Sequence, residues 1–260
     1  MPDNVVNTDR LIITSLDQMT FFNNAGQVEF IMDELQDTTI SNAQEKVDIT
    51  GRNGAKIAQL KRNKTVTITA NNGFVVGGGL AAQTGADVEQ GQYNIRTYEI
   101  VTVNSNAATI EGTPAGSTGA EIVDLYVRNA NGSQGKRFTQ DATASATGKF
   151  AYSEKAITFF EGDLEDGDVV VVWYDMQTQA ARIINDSKRY SKTLRGYIDI
   201  TCTDNCDNEY HGQIYIPRAD FSGEFDIAMG TDATVHALSI EALADTCTGT
   251  GNLWEWYIYQ

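Results

Sequence analysis

A chain of 260 residues with 35 aspartates and glutamates against 19 lysines and arginines carries a formal charge of −16 and a pI near 4.4. That sign excludes a protein that grips nucleic acid by neutralising phosphates, and it opposes binding to an anionic membrane surface. No run of about 18 apolar residues is present that could span a bilayer, and 28 threonines and 23 glycines beside only 3 prolines suit strands joined by glycine turns.

Residues 1–10 lack the basic start and apolar stretch of a secretory signal, so synthesis in a cytoplasm is expected. Three cysteines cannot build a disulfide framework, which fits a reducing compartment. In chain order, residues 27–35 (QVEFIMDEL) alternate as a strand. Residues 46–70 predict two or three strands, with a turn at residues 51–54 and Val66 and Ile68 alternating with threonines. The run Gly77, Gly78, Gly79 has neither the lysine nor the helix-opening pattern of a phosphate loop and reads as a flexible or closely packed turn.

Further strands are predicted at residues 93–103, 121–128, 149–160 and 168–174, with a turn-rich stretch at 108–120. The segment 168–174 (DVVVVWY) is a continuous apolar run, the signature of a strand buried on both sides. The acidic turn at residues 162–167 (GDLEDG) lacks the spacing of a calcium loop. Residues 197–201, 213–216, 223–229 and 253–259 read as strands, and 234–245 alternates as a strand while also suiting a helix face. Length fits one large all-β domain or two small ones, and residues 1–260 are taken as a single β-rich structural domain with about 104–148 as an inserted or peripheral β portion.

Charge is segregated along the chain: residues 52–64 and 182–195 each hold five basic residues, whereas 196–260 holds eleven acids and only Arg218. Such segregation suits solvated faces or a self-complementary subunit contact. Cys202 and Cys206 stand as CTDNC at a predicted hairpin tip, with His211 and Cys247 beyond. These four could form a zinc set, but the spacing is not that of paired knuckles, and two ordinary thiols near enough to oxidise fit as well. His211 and His236 lie near no nucleophile elbow, and Ser222 and Ser239 lack such surroundings. Trp254, Trp256, Tyr257 and Tyr259 suit packing or a subunit contact better than a sugar platform. No residue is assigned as catalytic, cofactor-binding or metal-binding.

Three stretches, 47–89, 166–178 and 210–259, together resemble virion structural proteins of tailed bacteriophages, of the tail-tube (major tail protein) type. The resemblance implies an antiparallel β-sandwich or barrel with extended hairpin or loop arms and little helix. It implies subunits paired edge to edge in stacked hexameric rings, with an arm within 52–64 or 74–89. It also implies a non-enzymatic chain whose partners are itself and other tail or virion proteins, made in the host bacterial cytoplasm and located in the virion tail. DNA would be cargo sliding past an acidic lumen, with no membrane binding and no cofactor. The rivals are a capsid decoration or other head-associated protein, a carbohydrate-binding or adhesin domain using Trp254 and Trp256, and a hydrolase for which no residues can be named.

Overall fold

The computed structural model describes residues 8–227, 235–247 and 249–259. In chain order the strands are β1 (Ile12–Phe22), β2 (Val28–Met32), β3 (Leu35–Thr50) and β4 (Lys56–Asn72), then helix α1 (Gly77–Thr84), then β5 (Glu89–Thr102), β6 (Ala107–Thr109), β7 (Ile122–Arg128) and β8 (Gln134–Gln140). They continue with β9 (Lys149–Ser153), β10 (Ala156–Phe159), β11 (Val169–Arg182), β12 (Thr193–Thr203), β13 (Glu209–Phe221), β14 (His236–Ala242) and β15 (Glu255–Tyr259). The fold is all-β, as expected. The chain divides into two compact units, Met1–Val88 with Ile183–Gln260, and Glu89–Arg182. Residues 104–148 fall wholly in the second.

The first unit is an eight-stranded antiparallel sheet in the order β2-β1-β12-β13-β14-β4-β3, curled into a half-barrel, with β15 added beside β13. Period-two alternation decides which side chains fill its interior: Leu194, Ile198, Ile200 and Cys202 from β12, Ile214 and Ile216 from β13, and Leu238 and Ile240 from β14 are buried. Phe21 stacks on Phe30 at 4.7 Å between ring centroids and meets Phe221 edge-on at 5.0 Å. The second unit is a seven-stranded sheet in the order β5-β11-β7-β8-β9-β10-β6, antiparallel except for the β8–β9 pair. Val103, Ala108, Phe150 and Val170, drawn from both ends of that order, share one core, so this sheet also curls on itself. Within β11, Val170, Val171, Val172 and Tyr174 are all buried, as the apolar run predicts.

A half-buried polar cluster pins the loop after β6 to this core. Glu99 accepts hydrogen bonds from Tyr174 Oη and from the amides of Glu111 and Gly112. Burial pushes the Glu99 carboxyl up, but these three donors outweigh it and hold the group below its usual range. Burial and the carboxylate together push the Tyr174 phenol up to about 12. A side chain at residue 112 would strike the Tyr174 hydroxyl, so only glycine fits there.

Two sequence expectations are corrected, and two strands were not anticipated. β1 was not anticipated, because bulges at Ile13/Ser15 and Leu16/Gln18 break its alternation. Residues 77–79 open helix α1 rather than a turn. Residues 223–227 carry no strand, and 228–229 lie outside the described residues. β8 was missed because it buries only Phe138. Residue 234 of the stretch 234–245 is also outside the described set, but β14 within it is a strand.

Helix α1 forms against its glycine content because tertiary packing overrides propensity. A Cβ on Gly78 would lie 2.5 Å from Phe30 Cβ and 3.2 Å from the Glu29 carbonyl, so the helix backbone rests directly on β2. Gly85 ends the helix at φ +71, and Ala86 N–H reaches the Ala81 carbonyl at 2.9 Å. His236 fastens the helix to β14: its Nδ1 accepts from Val76 N–H at 3.2 Å, and its Nε2 therefore donates to Gln83 Oε1 at 2.8 Å. Gly78→Ala is expected to destabilise the protein by about 1–3 kcal/mol, although alanine is the better helix former by about 1 kcal/mol. A thermal midpoint at or above the parent's would refute the close-packing account.

Burial holds the His236 imidazole below its usual 6.5, favouring the neutral ring in the folded state. Its contribution is therefore complete above about pH 6.5 and is lost as pH falls, because protonated Nδ1 can no longer accept from Val76. His236→Asn keeps an acceptor and does not titrate. Melting followed from pH 8 to pH 5 should show the parent losing up to about 1.4 kcal/mol per pH unit more than the variant; superimposable profiles would refute this.

Candidate assembly surfaces

β3 and β4 pair along their whole length, from Leu35↔Asn72 to Thr50↔Lys56, and their outer halves leave the sheet as a two-stranded arm. From Ala43 to Thr50 this arm extends about 26 Å at the rise of a strand. It turns at Asn53 and Gly54, both at positive φ (76 and 77), the geometry that an Asn-Gly pair adopts readily. Cross-strand rungs Val47↔Leu60 and Ile49↔Ala58 give it an apolar face, and Lys46↔Lys61 and Asp48↔Gln59 a polar one. Ile57 is 68% exposed and Leu60 52%. Lys56 pairs with Asp48 at 2.6 Å and Arg62 with Glu45 at 2.8 Å, so part of the basic run 52–64 is neutralised within the arm. Donation from Arg62 and Asn63 holds Glu45 below the usual carboxylate range, and Lys56 and Gln59 do the same for Asp48.

A lone two-stranded ribbon is marginal in water, and this one also exposes its apolar face. The sheet that carries it is open: among the described residues β2 pairs only with β1, β3 only with β4, and β15 only with β13. Val28 and Ile31 on the β2 edge are 50% and 44% exposed. An apolar groove of about 530 Å³ runs between Ile13 and Leu16 of β1, Leu35 and Ile40 of β3, and Ile198 and Ile214.

The residues singled out for chemistry are not assembled into a reaction site. Cys202 is buried in the core, whereas His211 on the neighbouring strand faces outward beside Tyr259. Cys206 is exposed at the β12–β13 turn, and Cys247 lines a separate cavity with Arg195 and Arg218. Among the described residues no three His, Cys, Asp or Glu side chains come together as metal ligands. Ser222 N–H donates to the Ser239 carbonyl at 2.8 Å, and the one imidazole nearby in sequence, His236, is held by α1. In the acidic turn, Asp163 is taken by Lys136 and the Gly148 amide, Asp166 by the Ser105 amide, and Asp168 by the Glu165 amide. These carboxylates shape loops.

Trp254 is half-buried against the core, Trp256 lies over Gly212 at 43% exposure, and Tyr257 and Tyr259 are exposed on β15. Sequence reasoning missed Arg195 and Arg218 as a pair. Their proximity depends on a bulge in the β12–β13 register between Leu194 and Gly196, which no local pattern reveals.

Among the described residues no helix is long and apolar enough to cross a membrane. No curated protein matches the chain. The model of the YomU/Tube protein family matches residues 11–255. With open edges, a projecting arm and nearly its whole length inside that match, the chain belongs to the YomU/Tube protein family.

Proposed function

We propose that the chain is the tail-tube subunit of a tailed bacteriophage, polymerising as stacked hexameric rings around an acidic conduit through which DNA passes without sticking. The observation that carries this reading is the exposed amphipathic arm on an open-edged sheet. Unpaired edge groups and an uncovered apolar ribbon are liabilities in a monomer and binding elements in a polymer. Edge strands of neighbouring copies pair within a ring, and the arm, which contains residues 52–64, reaches an adjoining copy. Residues 74–89 fit that role less well, since α1 is held down by His236 and Phe30.

The whole chain, 1–260, serves as one structural subunit, with residues 104–148 carried in the inserted unit. Its role is structural, with no catalytic site and no cofactor. Its partners are further copies of itself and other tail or virion proteins, and its place is the virion tail after synthesis in the host bacterial cytoplasm. DNA is cargo: carboxylates facing it repel phosphate at short range, while mobile cations screen the rest.

Leu60→Lys with Ile57→Lys places charge at the two most exposed large apolar positions of the arm, so the melting temperature is expected to change little. Rings and tubes seen by negative-stain microscopy should shorten or vanish. Full-length tubes from this variant would eliminate the arm as an assembly element. A map of the assembled tube is expected to line the channel with acids from residues 196–260 or from the turn 162–167; a neutral or basic lumen would defeat the conduit reading.

A further inference from the structure

The β12–β13 hairpin carries opposite charge at its two ends. At the closed end, Asp204 turns inward to accept from the amides of Cys206 and Asn208 at 2.8 and 3.0 Å. Asp207 and Glu209 remain exposed at the apex, next to the exposed thiol of Cys206, with Glu209 3.9 Å from His211 Nε2. At the open end, Arg195 and Arg218 line a cavity of about 410 Å³ together with Thr193, Tyr215, Asp245 and Cys247. Arg218 reaches only the Ala244 carbonyl, at 3.3 Å. Neither arginine is in an ion pair among the described residues, although most other arginines are. Arg195 lies about 27 Å along the strand from Thr203, which adjoins the apex.

We propose that the acidic apex of one copy, Asp207 with Glu209, docks in the Arg195–Arg218 cavity of a second copy. This rests on the tube reading and deepens it by naming the contact between successive rings. The two surfaces differ and lie at opposite ends of one hairpin, so the contact is heterologous and repeats along the hairpin axis instead of closing on itself. Arg195 and Arg218 against Asp245 leave the cavity with one net positive charge in a chain of −16, and a guanidinium fork takes a carboxylate in two parallel hydrogen bonds. Docking also brings the Cys206 of one copy towards the Cys247 that lines the cavity of the next.

That proximity supplies the test. The purified full chain is assembled and treated with diamide, which accepts the two electrons and two protons released as a disulfide forms. A ladder of covalent multimers is expected on a non-reducing gel, absent in Cys206→Ser and absent in Cys247→Ser. Asp207→Lys with Glu209→Lys, and Arg195→Glu with Arg218→Glu, should each cut elongation at least about tenfold, and the chain carrying all four reversals should elongate again. Melting temperatures check that each variant folds; the apex pair lies in an exposed turn and carries the test if the arginine pair does not. Tubes whose thiols do not link, or parent-level elongation by the apex variant, overturn this contact and leave the tube reading standing. A parent chain that forms neither rings nor tubes overturns both.

Discussion

An open β-sheet leaves a row of unpaired amide and carbonyl groups along each outer strand, and the first unit carries that constraint on β2, β3 and β15. Soluble monomers usually blunt such edges with bulges, charge or a covering helix. Here α1 lies against β2 through Gly78 and Phe30, but the outer halves of β3 and β4 extend beyond every neighbour with both faces in solvent. Backbone pairing between the two arm strands is satisfied; among the described residues, what remains open is the apolar face and the outer edges of both arm strands, since β14 pairs β4 only from Thr67 to Asn72. A second copy supplies the same chemistry at a fixed orientation, which makes self-association the economical solution for this topology.

The charge has to be read against that geometry. Copies bearing −16 repel one another, and at physiological salt the repulsion is screened beyond about 8 Å. Contacts must therefore be short-ranged and complementary. Much of the basic charge is already used inside the chain: Lys192 bridges Glu29 and Asp87 at 2.6 and 2.7 Å, Arg182 holds Glu89, and Arg189 holds Asp186. Three of the five basic residues in the run 182–195 are thus internal ties, and Lys188 and Arg195 are in no ion pair among the described residues.

Legibility in the sequence followed the regularity of the backbone. β11 was readable over residues 168–174, where an unbroken apolar run survives, β14 as a strand in competition with a helix face, and the CTDNC turn because it joins two alternating strands. β1 was not, since two bulges shift its phase, and α1 was not, since three glycines score as a turn until Phe30 and His236 are known to lie beneath them. The same limit applied to function. The arm could be narrowed to two stretches from the resemblance, but which of them projects depends on the β3–β4 register and on the docking of α1, both set by contacts remote in sequence.

The second unit enters and leaves the first through one ribbon. Its first rung is Glu89↔Arg182, where Arg182 holds the carboxylate and lies 4.5 Å over the Tyr93 ring. With its two ends adjacent, such a unit can be accommodated in a chain without displacing the strands on either side. All eight strands of the first sheet come from residues on either side of that ribbon, and its core contains none of the inserted residues. The open-edged sheet, the arm and the β12–β13 hairpin therefore belong to the first unit alone.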